Sequence, residues 1–269
     1  VPLSGNVPTP FGVIPGCGTP TTQSIRNGSW FSSETWSTGR IPGDGDVVRI
    51  APGTNVTYNQ ASGARIDSVC IEATGSLTFS IIENTKLVAG YILVKPNAKL
   101  TVGTPTSPIG SNVTAEIIIM NKPMDTASDP EQWKGSLTGL GTVSMHGYAK
   151  AAHLPLAVEP RAGATTLTFV TPVTGWKPGD TAVIPDTRQF MGTNYVTETE
   201  ERIIVSISAD GKIVSLNTSL QFNHLGARDV AGTLRFLPNV INTSSNVIVR
   251  SERPDGVRGI VVFGNRADA

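Results

Sequence analysis

The chain has 269 residues, of which 28 are glycine and 19 are proline, and only 16% are charged. Its 21 basic and 21 acidic residues balance, and neither sign is clustered, so there is no concentrated basic face of the kind that binds nucleic acid. The longest apolar runs, such as residues 117–120 and 260–263, are far too short to span a bilayer.

The composition predicts an all-β fold. Glycine and proline at this density would interrupt long helices, whereas valine, threonine and isoleucine favour the half-buried surface of a sheet. The length is compatible with one elongated β domain or with two globular ones. Residues 1–27 are rich in proline and glycine and show no periodic pattern, so we expect an extended leader there.

Short β-like runs recur after the leader. Their candidate inward-facing residues are separated by 21, 23, 18 and 25 positions, and are Val56, Leu77, Leu100, Ile118 and Val143. Spacing of this kind is typical of stacked supersecondary units. The sequence therefore predicts a right-handed parallel β-helix, or β-solenoid, in which each coil buries its apolar side against the next. A β-sandwich with many short strands is the alternative.

One hairpin interrupts this pattern. The strand-like residues 203–207 and 213–216 flank Asp210-Gly211, a residue pair typical of a tight turn between antiparallel strands. We therefore expect at least one antiparallel excursion that decorates the parallel coils.

Four tryptophans offer aromatic faces on which the apolar side of a sugar can stack. Trp133 lies in a polar insertion, residues 122–135, and is the best candidate for an exposed binding residue. We expect Trp30, Trp36 and Trp176 to fill the core or to cap its end.

Cys17 and Cys70 have no metal-site spacing and no C-x-x-C pattern. Two interpretations are open: a disulfide that tethers the glycine- and proline-rich leader, or two buried thiols that behave as small hydrophobic side chains. We favour the disulfide, because the segment around Cys17 needs a tether.

Five sequons for N-glycosylation occur, at Asn27, Asn55, Asn112, Asn217 and Asn242. This number is a mild excess over chance. Together with the low charge and the single cysteine pair, it favours an extracellular protein, secreted or at the cell surface.

Asp44 and Asp46, in the sequence Pro-Gly-Asp-Gly-Asp, are candidate ligands for calcium, which takes six to eight oxygen ligands. The alternative is a tight turn before a strand, in which the aspartates accept hydrogen bonds from backbone N–H groups. Calcium is the one cofactor that the sequence suggests.

Glu200 and His224 are the candidate catalytic pair. Cleavage of a polysaccharide needs an acid and a base around the scissile bond, and these two residues are expected to flank the Asp210-Gly211 hairpin from opposite sides. The alternative is a hydrogen-bonded structural pair that fixes the hairpin. No serine-hydrolase, zinc-protease or phosphate-binding motif occurs.

The most specific stretch is residues 30–50, in which two tryptophans six apart precede Pro-Gly-Asp-Gly-Asp and a strand. Later segments follow in order: Gly75-Ser-Leu-Thr-Phe, Ala98-Lys-Leu-Thr-Val-Gly, Met145-His-Gly, Trp176-Lys-Pro-Gly-Asp, Thr197-Glu-Thr-Glu-Glu and Leu220-Gln-Phe-Asn-His. Together they resemble the G8 domain family, which includes cell-migration-inducing hyaluronan-binding proteins, transmembrane protein 2 and the fibrocystins.

The resemblance implies an extracellular module at the start of a parallel β-helix. It divides the chain into a leader at residues 1–27, a G8-like β domain at 28–250 and the start of a further β-helix rung at 251–269. Some relatives bind or depolymerise hyaluronan with calcium dependence, and others have no known chemistry. The relatives continue with further coils that would carry catalytic groups, so we favour no enzyme activity for this chain alone; the alternative is a polysaccharide-degrading activity, as a glycosidase or lyase.

Three functions follow as hypotheses. The chain is a non-catalytic module that binds glycan or a neighbouring surface protein or builds a surface assembly, a hyaluronan-type depolymerase or a fragment of one, or an architectural β-helix stalk. We favour the first. The strand-like residues 259–264 lack a capping segment, and an uncapped rung exposes unpaired backbone groups. We therefore expect residues 259–264 to pair with another coil or subunit.

Overall fold

The computed structural model describes residues 7–9, 12–123, 125–127, 129–130, 132–189 and 194–264. Strands dominate this part of the chain, which contains no α-helix and only short 3₁₀ helices at Ser33–Thr35 and Trp133–Gly135. The prediction of an all-β protein is confirmed. No helix among the described residues is long and apolar enough to cross a membrane.

The chain divides into two compact units. Unit 1 comprises residues 1–148 and 246–269, and unit 2 comprises residues 149–245, so the second unit is inserted within the sequence of the first. The division at residues 27 and 250 follows sequence motifs and stays a prediction.

Unit 1 is built from short strands, with two longer ones near its middle. The described strands are β1 (Val7–Thr9), β2 (Gly12–Ile14), β3 (Thr22–Gln23), β4 (Gly28–Ser29), β5 (Val47–Ile50), β6 (Asn55–Tyr58), β7 (Ala61–Ile71), β8 (Ser76–Phe79), β9 (Thr85–Val94), β10 (Lys99–Val102), β11 (Ala115–Ile119), β12 (Ser136–Gly139), β13 (Thr142–Met145), β22 (Val247–Ser251) and β23 (Ile260–Phe263).

Two parallel sheets organise unit 1. One has the strand order β13-β10-β8-β6-β4, and the other has the order β22-β11-β9-β7-β5-β3, with β12 pairing to β9 and β23 pairing to β12. From β3 to β10 the chain alternates between the two sheets, so each new strand pairs with the strand two earlier in sequence. Asn97, at a φ of 64°, makes the turn into β10, a left-handed conformation that asparagine tolerates.

The register explains the sequence spacing. Val56, Leu77, Leu100 and Val143 are direct partners on adjacent strands of the five-stranded sheet, as predicted. Ile118 is buried, but its predicted place in this row is wrong, because it lies on β11 in the other sheet and outside the main core cluster. Three consecutive isoleucines hide the strand alternation there, so the inward positions, 117 and 119, could not be distinguished from 118.

Side chains from both sheets form the core of unit 1. Trp30 and Trp36 are buried at the β4 end with an edge-to-face contact of 4.9 Å between ring centroids, and the Trp36 Nε1 donates to the Trp30 carbonyl at 2.7 Å. The predicted core role of these two tryptophans is confirmed.

Unit 2 contains the described strands β14 (His153–Pro155), β15 (Thr166–Thr168), β16 (Thr181–Ile184), β17 (Glu200–Ile207), β18 (Ile213–Leu216), β19 (Ala227–Arg228), β20 (Leu234–Phe236) and β21 (Asn239–Asn242). Six of them form an antiparallel sheet in the order β14-β21-β16-β17-β18-β15 over a separate core that includes Trp176. The hairpin β17–β18 confirms the predicted turn, and Gly211 adopts a φ of 72° in it.

A disulfide joins Cys17 to Cys70 across a Cα–Cα distance of 5.9 Å, which confirms the predicted pair. It holds the N-terminal segment against a small apolar cluster separate from the main core. The buried members of this cluster are Ile14, Cys70, Tyr91, Leu93 and Leu140.

Candidate functional site

The candidate catalytic pair, Glu200 and His224, comes together inside unit 2. Glu200 is the first residue of β17, and His224 lies in the loop that follows β18. The His224 Nε2 atom lies 3.0 Å from the Glu200 Oε1 atom, and both side chains are buried. The sequence therefore identified two residues that are in contact, although 24 positions separate them.

The other polar atoms of Glu200 and His224 also have hydrogen-bond partners. The Glu200 carboxylate accepts from the backbone N–H groups of Gln221 and Phe222, at 2.8 and 3.0 Å, and from the Arg202 guanidinium. The His224 Nδ1 atom lies 2.8 Å from the Pro185 carbonyl oxygen. Both ring nitrogens of His224 therefore face oxygen acceptors.

Electrostatics keep Glu200 ionised. Burial on its own would raise the pKa of Glu200, but the Gln221 amide, the His224 ring, the Phe222 amide and the Arg202 charge together hold that pKa below its ordinary value. A buried carboxylate with this many donors ties β17 to the loop after β18. These contacts favour the structural interpretation of the pair, and its catalytic role stays a prediction.

A surface cleft of about 430 Å³ adjoins the same loop. Arg188 and Glu198 line it and pair with each other at 2.7 Å, and Arg188 also contacts Asp186 at 2.8 Å. The charges at this cleft are thus largely balanced within the protein.

Asp46 is the last residue of the Pro-Gly-Asp-Gly-Asp sequence, and its carboxylate makes most of the hydrogen bonds at this turn. Its two carboxylate oxygens accept from both terminal nitrogens of Arg40, at 2.7 and 2.8 Å, from the Gly43 amide at 2.8 Å and from the Thr21 hydroxyl at 2.7 Å. The Arg40 guanidinium lowers the pKa of Asp46 to about 2. Sequence reasoning missed Arg40, because its partner is set by a turn whose shape only the fold shows.

Asp44 has a different contact, since its Oδ1 atom accepts from the Arg65 amide at 2.7 Å. Both aspartates therefore accept hydrogen bonds from protein groups, Asp44 from β7 and Asp46 from the turn and its surroundings, which favours the turn interpretation. The structure groups no three or more His, Cys, Asp or Glu side chains of the described ranges in a way that would hold a metal ion. The calcium site at Asp44 and Asp46 stays a prediction.

Trp133 begins the second 3₁₀ helix and is partly buried against the apolar cluster of Ile14, Tyr91 and their neighbours. The buried Asp129 carboxylate accepts from the Trp133 and Lys134 amides, at 3.0 and 2.6 Å, and so fixes this turn. The Trp133 ring is thus less exposed than its polar sequence context indicated. Its role in binding stays a prediction.

A second cleft, of about 730 Å³, lies beside this insertion. Lys122, Lys134 and Arg258 line it together with Asp67 and Asp129, and Lys122 pairs with Asp67. The sequence did not indicate this cleft, because residue 258 is distant in sequence from residues 122–134.

The five sequons lie in different environments. Asn27, Asn55, Asn112 and Asn217 are exposed, and their glycosylation stays a prediction. Asn242 is buried, and its Nδ2 atom, to which a glycan would be attached, donates to Asp180 at 2.8 Å, while its Oδ1 atom accepts from Lys150 at 2.9 Å. This buried network argues against the prediction at Asn242.

One end of the unit 1 core is left partly uncovered. Val143 and Met145 on β13 and Val247 and Val249 on β22 pack on the core but remain partly exposed, whereas their partners one strand earlier are buried. Those partners are Leu100, Val102, Ala115 and Ile117. We call this set of strands, β13, β22 and β23, the open end.

Strand β23 is the most exposed part of the open end. Ile260, Val261 and Phe263 are 45%, 46% and 61% exposed, and among the described strands β23 pairs only with β12. An exposed apolar strand with one unpaired edge is a template for further strand pairing.

Comparison with known families tests the resemblance to the G8 domain. The family model for the G8 domain matches residues 35–157. The resemblance to the G8 domain family is thereby confirmed for residues 35–157. This G8 segment contains Asp44, Asp46 and Trp133, and it does not include Glu200 or His224.

Three curated relatives match over most of the chain. Human fibrocystin-L is 29% identical over 202 residues, which is 74% of this chain and 4% of the relative. Mouse fibrocystin-L is 29% identical over 199 residues, 73% of this chain and 4% of the relative. Mouse fibrocystin is 28% identical over 224 residues, 82% of this chain and 5% of the relative. The chain thus corresponds to a small part of each relative's length.

Proposed function

We propose that this chain is a G8-containing module of an extracellular or cell-surface protein, and that it builds a surface assembly by pairing its open end with a further strand. The disulfide between Cys17 and Cys70 supports an oxidising compartment. The fibrocystin relatives support a module within a much longer protein.

The fold proposal is that unit 1 is a right-handed parallel β-helix. Its support is the alternation of the chain between two parallel sheets and the register of Val56, Leu77, Leu100 and Val143. In such a fold each coil covers the apolar side of its neighbour, so a coil that is uncovered on one side can accept a further strand there.

The functional proposal rests on the exposure of the open end. The opposite end of the unit 1 core is covered. Near β4, Trp30, Phe31 and Tyr58 close the core with edge-to-face contacts of 5.0 to 5.2 Å between ring centroids. At the open end, partly exposed valines and a methionine stand where the preceding strands place buried residues. Strand addition satisfies the backbone groups of an edge, and alternate side chains of the new strand cover the apolar positions.

The test is sedimentation velocity of the chain over a range of concentrations, compared with Val261→Lys and Phe263→Lys. We expect reversible self-association that both substitutions abolish, because a lysine on an edge strand opposes pairing. Ile82→Lys is the matched control, since Ile82 is also an exposed apolar residue of unit 1 but lies outside these strands. A monomer at every concentration, or equal association in all variants, would contradict the proposal.

Binding of a glycan is the second candidate function. It is supported by the 730 Å³ cleft, whose lining offers charged groups of both signs to the hydroxyl groups of a sugar: Lys122, Lys134, Arg258, Asp67, Asp125 and Asp129. Glycan-array binding of the chain and of Lys134→Gln tests it, with binding expected to weaken in the variant. Depolymerase activity has less support, because Glu200 and His224 are buried and fully engaged.

A further inference from the structure

The sheet of unit 2 has an apolar outer face. Along β17, Ile203 and Val205 are 40% and 54% exposed while Ile204 is buried, and along β18, Ile213 is 43% exposed while Val214 is buried. Ile203 and Ile213 alternate with buried neighbours, and Val205 lies at a register shift between Ile204 and Ser206. The exposed side chains therefore lie on the side of the sheet that faces away from the unit 2 core. Ile203 and Val205 lie two positions apart on this face, and neighbouring exposed apolar residues of this kind mark a surface that is suited to contact with another group.

The sequon at Asn217 lies directly beside this face. The backbone N–H of Asn217 donates to the Ile203 carbonyl at 2.9 Å, and the backbone N–H of Ile203 donates to the side-chain Oδ1 atom of Asn217 at 3.0 Å. Asn217 is therefore the cross-strand neighbour of Ile203, and its exposed side chain is anchored through the oxygen. The Nδ2 atom, which carries the glycan in an N-glycosylated asparagine, does not take part in this pairing.

We infer that Asn217 carries an N-glycan that covers Ile203 and Val205, and that this glycan keeps the outer face of the unit 2 sheet from associating. The inference rests on the proposed extracellular location. Its chemistry is the removal from water of apolar surface, where the C–H face of a sugar lies against aliphatic side chains. The covering group is thus attached to the face that it protects.

Two other exposed sequons lack such surroundings. The Asn27 Oδ1 atom accepts from the Asn55 amide at 2.8 Å, and the Asn55 Oδ1 atom accepts from the Ser76 hydroxyl. Both asparagines therefore sit in a polar row of the five-stranded sheet. A glycan at these positions would cover polar rather than apolar surface.

The sequon can be removed without changing Asn217 or its contact to Ile203. Ser219 is exposed and contributes its backbone carbonyl to Arg202 at 3.0 Å, so Ser219→Ala keeps the local structure but abolishes the sequon. Ser219→Thr preserves the sequon and is the matched control. Thr114→Ala removes the sequon at Asn112 and controls for loss of a glycan elsewhere.

The experiment is secretion of the full chain and these variants from a eukaryotic host, followed by glycopeptide mass spectrometry and binding of an apolar fluorescent dye. We expect Ser219→Ala to lose one glycan and to bind more dye than Ser219→Thr, and we expect Thr114→Ala to leave dye binding unchanged. Adding Val205→Thr to Ser219→Ala should reduce the dye signal again.

Absence of a glycan from Asn217 when Asn112 is occupied would overturn the inference, as would equal dye binding by Ser219→Ala and Ser219→Thr. A chain without glycan at any sequon would overturn it together with the proposed location. Failure of self-association through β23 leaves these readouts unaffected, so the two proposals fail separately.

Discussion

Arg40 donates from both terminal guanidinium nitrogens to the two carboxylate oxygens of Asp46, at 2.7 and 2.8 Å. The pair closes the turn that precedes β5, within the part of the chain that matches the G8 domain. A planar bidentate contact of this kind is stronger than a single hydrogen bond and fixes the orientation of both groups. The two aspartates of the motif therefore have a structural explanation that requires no metal.

Acid should weaken the fold through Asp46. Its pKa is lowered from 3.8 to about 2 in the folded protein, so its contribution to stability is present above pH 4 and is lost as the pH falls through 2. We expect Asp46→Asn to reduce the free energy of unfolding by about 2 to 4 kcal/mol at pH 6. The difference from the unaltered chain should shrink towards pH 2, measured by urea unfolding at a series of pH values. A difference that stays constant from pH 6 to 2 would contradict this.

Calcium should leave the melting temperature unchanged. Both oxygens of Asp46 are engaged by Arg40, and a calcium ion would have to displace a charged partner. The measurement is thermal unfolding with millimolar calcium and with a chelator, for the chain and for Asp44→Asn. A calcium-dependent rise that Asp44→Asn abolishes would instead establish the metal interpretation.

Glu200→Gln should destabilise unit 2 by about 3 to 5 kcal/mol, because it removes one partner of a buried charge network and leaves Arg202 and His224 without it. Glu198→Gln is the comparison, since Glu198 pairs with Arg188 nearer the surface and should cost at most about 1 kcal/mol. Chemical denaturation followed by circular dichroism measures both. Equal effects of the two substitutions would show that the buried network does not stabilise unit 2.

Loss of the disulfide should release the N-terminal segment before the core of unit 1 unfolds. The bond closes a loop of about 54 residues, for which chain entropy gives about 4 kcal/mol. Ile14 then leaves its place against Tyr91, whose hydroxyl donates to the Pro15 carbonyl at 3.0 Å. Limited proteolysis of Cys17→Ser should cleave within residues 12–20 first. If the protease instead degraded the whole chain at the same rate as residues 12–20, the N-terminal segment and the core would unfold together.

Much of the fold follows from local sequence. The spacing of Val56, Leu77 and Leu100 is visible because each stands in a strand whose side chains alternate between buried and more exposed positions, and Val143 continues the same row on β13. The Asp210-Gly211 turn is likewise local, and the Asp210 carboxylate accepts from the Lys212 amide at 3.1 Å.

The rest depends on contacts between distant residues. That unit 2 is an insertion could not be read from local pattern, because the return of the chain to β11 through β22 joins residues about 130 apart. Glu200 and His224 were correctly paired, but their burial follows from the packing of unit 2 and not from their spacing.

Hydrogen exchange of the backbone amides in β23 tests the central proposal most directly, because it reports pairing at the open end residue by residue. Strand β23 already pairs with β12 on one side, so the test concerns the amides of residues 260–263 that face the free edge. If the open end pairs with a further strand, protection of these free-edge amides should rise with protein concentration, and it should not rise in Val261→Lys. Fast exchange of the free-edge amides at every concentration, with the rest of unit 1 protected, would contradict the proposal.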